Sequence, residues 1–245
     1  MKKENVVIIF AKWPVLGKCK TRIAAITNEQ FSLELSRACL TDLVSRIKES
    51  KSYDLIFGVD NKEEANLFKA NYNLACVLTS SSKQVFNQSE KFSNLFSNLL
   101  TDYKKVVLIP MDVPFLQEQD LTEAFSLLNN KKYVVGPELN GGIYLIGINT
   151  PFEKNVFENV RWSTPFSCKD FILNCSVKNI EVLELKTDLN TFEDIINTEE
   201  LIEKNCPTLS RLIRNSLIFS KLKRKRPVKK NPLIVTQDIL QEKVW

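Results

Sequence analysis

Asn5–Phe10 (N-V-V-I-I-F) is an unbroken apolar run of strand length, the pattern of a strand covered on both faces. Similar short runs return at Tyr53–Val59, Leu74–Leu78, Lys105–Ile109, Tyr133–Val135, Ile143–Ile148 and Glu181–Leu185. Between them lie segments with helical spacing. Residues 28–49 place Phe31, Leu35, Cys39, Leu43 and Ile47 on one i+4 stripe, with Thr27 and Gln30 as a capping box. Further helices are predicted over Glu63–Ala70, Glu90–Leu100, Gln117–Leu128, Thr164–Asn174 with Ser163 as cap, and Thr191–Glu203. Residues 11–26 and Ser80–Ser89 read as loops. A strand–helix alternation of this kind predicts a doubly wound, mostly parallel sheet with helices on both faces. The chain has 245 residues, and the catalytic body is expected over 1–205, followed by a basic extension over 206–245.

The absence of histidine excludes Ser-His-Asp and Cys-His catalysis and His-ligated zinc. None of the six cysteines forms a C-x-x-C pair, which speaks against a zinc or thioredoxin-like motif, and Cys39 falls on the core stripe. The longest early apolar run, Val6–Ala11, is too short for a signal peptide or a membrane span. A cytoplasmic protein with free thiols is expected.

Charge is unevenly distributed. The net charge of +5 combines +8 over residues 205–245 with −3 over the remainder, and seven of the ten residues Lys221–Lys230 are Lys or Arg. Such a tail reads as a solvated, partly disordered segment. Contact with RNA or an anionic membrane is its sharper alternative.

Glycine is scarce, and five of the six glycines fall within 10–22 and 136–147. Both blocks adjoin strand ends, where ligands bind in such sheets. In Phe10–Arg22 (F-A-K-W-P-V-L-G-K-C-K-T-R), the cations Lys12, Lys18, Lys20 and Arg22, with Thr21, surround Gly17. Backbone N–H groups and fixed cations suit a phosphate site, although the spacing is neither a Walker A loop nor G-x-G-x-x-G. Asp112 follows a buried strand between two prolines and suits a divalent metal bridging phosphate oxygens; a turn aspartate reads equally well. Gly141 and Gly142 sit in G-P-E-L-N-G-G, beside Glu138 and Asn140, as a close-approach turn or a plain hairpin turn. Trp162-Ser163-Thr164 looks like a core tryptophan before a helix cap. Asp188 and Asn190 precede a helix, as further metal donors or as caps.

Taken in order, these blocks resemble a GT-A-like glycosyltransferase family associated with radical-SAM proteins and with arsenosugar biosynthesis. The shared residues are Phe10, Lys12, Pro14, Gly17, Lys20, Thr21 and Arg22, then Asp112 and Pro114. Gly136, Pro137, Gly141, Gly142, Leu145 and Gly147 follow, and then Trp162, Ser163, Thr164, Asp188, Thr191 and Asp194. The resemblance implies a nucleotide-diphospho-sugar transferase fold and a nucleotide-sugar donor. It implies Mg²⁺ or Mn²⁺ at Asp112 with Asp188 or Asn190, and phosphate contacts from Lys12, Lys20 and Arg22. A small acceptor would face Glu138 or Asn140.

The chain departs from the family pattern at two acidic positions, which here are Asn140 and Asn190, and asparagine cannot serve as a general base. Metal-dependent glycosyl transfer is the first expectation. A more distant similarity to guanylyltransferases makes nucleotidyl transfer to a phosphorylated acid or sugar the second. A catalytically silent nucleotide-binding scaffold is the third.

Overall fold

A computed structural model describes residues 3–79, 87–149 and 151–220. Seven strands form one sheet: β1 (Asn5–Phe10), β2 (Asp54–Val59), β3 (Ala75–Leu78), β4 (Lys105–Pro110), β5 (Tyr133–Pro137), β6 (Ile143–Asn149) and β7 (Ile180–Val182). Their spatial order is β3-β2-β1-β4-β6-β5-β7. Every neighbouring pair is parallel except the two made by β6, which runs antiparallel to β4 and to β5. The mostly parallel, doubly wound sheet read from the sequence is therefore present. The chain order reverses between β1 and β4, and a crevice opens there beyond the strands' carboxyl ends.

Period-2 alternation assigns the core. Val7 and Ile9 of β1 meet Val107 and Ile109 of β4 on one face, under α2 (Glu29–Ile47), α3 (Lys62–Tyr72) and α5 (Glu118–Leu127). Val6, Ile8, Val106 and Leu108 point to the other face, under α4 (Gln88–Leu99) and α6 (Ser167–Asn174). With both faces covered, the strands need no polar alternation, which is why Asn5–Phe10 is apolar throughout.

A third apolar cluster lies beside the sheet. It joins Ile23, from the short helix α1 (Thr21–Ala24), and Leu35 and Cys39 of α2 to the C-terminal helices α7 (Phe192–Asn197), α8 (Glu199–Asn205) and α9 (Pro207–Asn215). The packing therefore runs past Asn205, where the sequence reading ended the body. Leu209, Ile213 and Phe219 are all buried against this cluster. The carboxylate of Asp42, itself buried, accepts the N–H groups of Thr208 and Leu209, so α2 caps α9.

Local chemistry shifts several expected boundaries. Residues 11–26 are not all loop, since α1 occupies Thr21–Ala24. The cap of α2 is Asn28, whose side chain accepts from Phe31 N, whereas the Thr27 hydroxyl donates to Ile23 O. Ser163 does not cap α6. It takes a left-handed φ of 61°, and the helix starts only at Ser167. The helix expected over Thr191–Glu203 breaks at Thr198 into α7 and α8. All six cysteines are free thiols, and Cys39 is fully buried as its stripe position predicts. Among the described residues no helix is long and apolar enough to cross a membrane. The basic run Lys221–Lys230 and most of the polar stretch Ser80–Ser89 lie outside the described residues.

Candidate functional site

Two cavities adjoin at the crevice between β1 and β4. The first, of about 550 Å³, is faced by Lys12, Lys18, Lys20, Thr21 and Arg22, and also by Trp13, Asp60, Asn61 and Glu64. The second, of about 430 Å³, is faced by Glu138, Asn140, Gly142 and Asp188, and by the aromatic residues Phe10, Phe92 and Trp162. Arg22, Asp112 and Asn190 face both.

The basic loop leaves β1 and is tied back at each step. Ala11 N–H donates to Gly58 O, and Trp13 N–H donates to a Glu64 carboxylate oxygen. Gly17 supplies a φ of 74°, a left-handed geometry that favours glycine. Lys20 also lies in that region, at φ 41°, without the freedom of glycine. The buried Ser32 hydroxyl of α2 holds the strained turn by donating to Cys19 O (2.7 Å) and Lys20 O (3.0 Å). The turn directs the Lys20 side chain inward, where its ammonium meets Asp112 Oδ2 at 2.7 Å. Lys20 is 7% exposed at its side chain and Asp112 is 36% exposed, so the carboxylate keeps a face toward the cavities. Burial alone would weaken the charge on both groups. Their mutual attraction overcomes it, raising the Lys20 pKa and lowering that of Asp112.

Asp112 is placed by β4. The antiparallel β6 pairs with Lys105–Leu108 of β4, so beyond Leu108 only β1 accompanies β4, as far as Pro110, before the turn that carries Asp112. The β5–β6 connection brings Glu138 and Asn140 to the same crevice. Its turn closes through Gly141 N–H to Glu138 O and Glu138 N–H to Gly142 O. Gly141 has φ 84°, and a Cβ there would lie 2.0 Å from Pro165 O.

The two asparagines converge on one carboxylate. Asn140 Nδ2 donates to both oxygens of Asp188 at 3.1 Å, while its own oxygen accepts from Gly142 N–H. Asn190 Nδ2 donates to Asp188 Oδ2 as well. Thr191 caps α7 through a capping box with Asp194, leaving Asp188 and Asn190 just ahead of the helix. Burial, then repulsion from Asp188 and Asp112, pushes the Glu138 carboxyl up to about 8. Asp188 is raised too, chiefly by burial, with Asp112 adding to the rise.

The residues predicted for phosphate, metal and acceptor thus gather at one crevice, with a division the sequence did not show. Lys12, Lys20, Thr21 and Arg22 face the first cavity. Asp112, Asp188 and Asn190 lie at or beside the shared wall. Gly142 faces the second cavity rather than the basic one, and neither Gly17 nor Gly141 faces either; these glycines shape turns.

Among the described residues no cluster of three or more acidic or thiol groups is arranged to enclose a metal ion by itself. The donors fit an oxygen-seeking ion such as Mg²⁺ that takes one or two carboxylates and completes its shell with water and phosphate. Asp112 has an exposed carboxylate face and Asp188 is oriented by two amides. Burial is the main cause of the raised Glu138 pKa, and a cation would offset the further part that Asp188 and Asp112 add.

Sequence reasoning missed the aromatic wall. Phe92 makes edge contacts with Phe10 (5.3 Å) and Trp162 (4.9 Å). Trp162 donates its N–H to Ser89 Oγ, so it offers carbon surface to the second cavity while also packing on the core.

Residues 43–164 match the family described as "Uncharacterized protein conserved in bacteria (DUF2064)". The chain is 25% identical over 208 residues to a 2-phospho-L-lactate guanylyltransferase of Methanosphaera stadtmanae, a stretch covering 78% of this chain and 82% of that relative. Its fold superposes with TM-score 0.74 on a proposed nucleotide-diphospho-sugar transferase of Desulfovibrio desulfuricans G20, at 22% identity, covering 91% and 95% of the two chains. A cytidylyltransferase of Leptospira borgpetersenii shares the fold at TM-score 0.53 and 9% identity, covering 95% of this chain and 99% of the other. The nucleotide-diphospho-sugar transferase fold anticipated from the motifs is thereby present. These likenesses carry nothing about radical-SAM proteins or arsenosugars.

Proposed function

We propose that the chain is a nucleotidyltransferase: it transfers a nucleoside monophosphate from a nucleoside triphosphate to an oxygen of a small acceptor. The observation that carries this reading is the charge division of the crevice. Four cations, Lys12, Lys18, Lys20 and Arg22, face the first cavity against the carboxylates Asp60, Glu64 and Asp112. Two of these carboxylates already pair with Lys12 and Lys20, so the balance there is positive and suits a polyphosphate, which would compete for those lysines. The second cavity presents Asp112, Glu138 and Asp188 with an aromatic wall, and suits an acceptor. The α-phosphate would lie at the shared wall, beside Arg22 and Asp112. The guanylyltransferase relative supports the same reading. Glycosyl transfer, the first expectation from the motifs, uses the same crevice and becomes the second reading.

An acceptor oxygen attacks the α-phosphorus, the bond from that phosphorus to the bridging oxygen breaks, and pyrophosphate leaves with the electron pair. Lys12, Lys18 and Lys20 hold the departing phosphates, and Arg22 faces the reacting phosphorus from the shared wall. A divalent ion held by Asp112 and Asp188 would supply further electrostatic stabilisation of the leaving group. Glu138 is the group available to take a proton from an acceptor hydroxyl. Asn140, whose amide is committed to Asp188 and Gly142, orients that carboxylate rather than moving a proton.

Incubation with each nucleoside triphosphate, Mg²⁺ and a panel of phosphorylated acids, sugar phosphates and sugars tests the reading. Release of pyrophosphate with a nucleotidyl adduct supports it. Release of a nucleoside diphosphate from a nucleotide-sugar would restore glycosyl transfer.

A further inference from the structure

We infer that Arg46, in the last turn of α2, is a positioning residue that sets the Asp112 turn through the C-terminal helices. The inference rests on the nucleotidyltransferase reading, in which Asp112 serves the metal and phosphates. Arg46 Nη1 donates to Pro114 O at 2.7 Å and to Leu116 O at 2.8 Å, in the segment that follows Asp112. Its Nη2 donates to Asn205 O and, at 3.7 Å, to Cys206 Sγ, at the joint between α8 and α9. The buried Cys206 thiol in turn donates to Pro114 O at 3.2 Å.

One guanidinium thus fastens two segments that lie 68 and 159 residues away in the chain. Pro114 has no N–H of its own, and β6 does not pair with the end of β4. The Asp112 turn therefore lacks ladder support from β6, and Arg46 with Cys206 instead holds the segment that follows it, at the Pro114 and Leu116 carbonyls. A planar fork with several fixed donors can hold four acceptors together; a lysine ammonium offers one point charge and cannot span them. Asp42, one helical turn earlier on α2, also grips the C-terminal segment, but it reaches only Thr208 and Leu209 and does not touch the turn. The two residues separate support of α9 from support of Asp112.

The experiment compares the full-length wild type with Arg46→Lys and Asp42→Asn. Calorimetry follows binding of ATP, GTP, CTP and UTP across a Mg²⁺ series and in EDTA, and thermal melting monitors folding. Arg46→Lys is expected to remain folded and to raise the Mg²⁺ concentration for half-maximal binding at least fivefold, with little change in EDTA. Asp42→Asn should lower the melting temperature and leave that Mg²⁺ midpoint in place. An unmoved midpoint in folded Arg46→Lys, an equal shift in Asp42→Asn, or failure of Arg46→Lys to fold would each overturn the positioning role. Absence of Mg²⁺-dependent binding by the wild type is a separate outcome, which removes the underlying reading and the inference with it.

Discussion

Lys20 and Asp112 stand 92 residues apart in the chain and 2.7 Å apart in space, each the other's counter-ion at the mouth of the crevice. Lys20 has a left-handed backbone that its side chain does not favour, and Ser32 holds it there. Strain of this kind persists where surrounding structure over-determines it, and it gathers at functional sites. In the proposed reaction the pair would keep the cation and the carboxylate neutralised until a ligand competes for both.

Replacing either partner should therefore affect stability and binding in different ways. Lys20→Met leaves Asp112 without its counter-ion, and Asp112→Asn leaves a buried ammonium unpaired. Because the carboxylate is 36% exposed, each loss is expected to cost about 1–2 kcal/mol rather than the full penalty for a dry pair. The double variant should lose less than the sum. Urea unfolding of the four proteins reads the coupling, and a zero coupling energy would refute the pairing. Asp112→Asn should also abolish turnover, whereas Lys20→Met should chiefly weaken triphosphate binding.

Glu138 provides a pH test. Its carboxyl is raised to about 8 in the folded chain, from an ordinary value near 4.5. The folded state therefore holds this proton more tightly than the unfolded state does. The stabilising contribution is complete below about pH 4.5 and is lost as pH rises toward 8. Glu138→Gln, which cannot ionise, should escape that loss. In metal-free buffer the melting temperature of the variant should gain on the wild type from pH 5 to pH 9. Parallel melting curves over that range would show that Glu138 ionises normally.

The glycine turn predicts graded effects. At Gly141 a Cβ would lie 2.0 Å from the Pro165 carbonyl oxygen, on a backbone with φ 84°. Gly141→Ala is expected to cost roughly 3 kcal/mol or more, since backbone must move. At Gly17 a Cβ would meet the flexible Glu29 carboxylate at 3.3 Å, so Gly17→Ala should cost only about 1 kcal/mol, from its φ of 74°. Thermal melting of both variants checks the order, and equal losses would contradict it.

The elements legible in the sequence were those whose period is a local property. The apolar run of β1 and the stripe from Phe31 to Ile47 needed no distant partner to be read. The motif blocks also located most of the crevice, because residues after β1, after β4 and in the β5–β6 turn are brought together by a doubly wound sheet. What could not be read was set by tertiary partners. Asn140 looked like a lost base, yet in space it is an amide bracket on Asp188. Trp162 looked like core, and it is core on one side and cavity wall on the other. Arg46 carried no motif, since its partners lie 68 to 160 residues away.

The C-terminal helices supply the last prediction. Charge and Pro207 suggested that the body ends near Asn205, so that a chain cut there would keep its activity. In the structure Leu209, Ile213 and Phe219 fill the cluster formed by Leu35, Cys39 and Phe192. Each buried apolar side chain is worth about 1.5–3 kcal/mol, and three together approach the 5–15 kcal/mol by which a domain of this kind is typically stable. The cut would also strand the buried Asp42 carboxylate, which now accepts Thr208 and Leu209 N–H, and would remove the Cys206 thiol from Pro114 O. A chain ending at Asn205 is therefore expected to melt non-cooperatively or to aggregate, while one ending at Ser220 should unfold in a single transition. Calorimetric unfolding of the two truncations decides the matter: cooperative melting of the shorter chain would mean that α9 is an appendage and not part of the body.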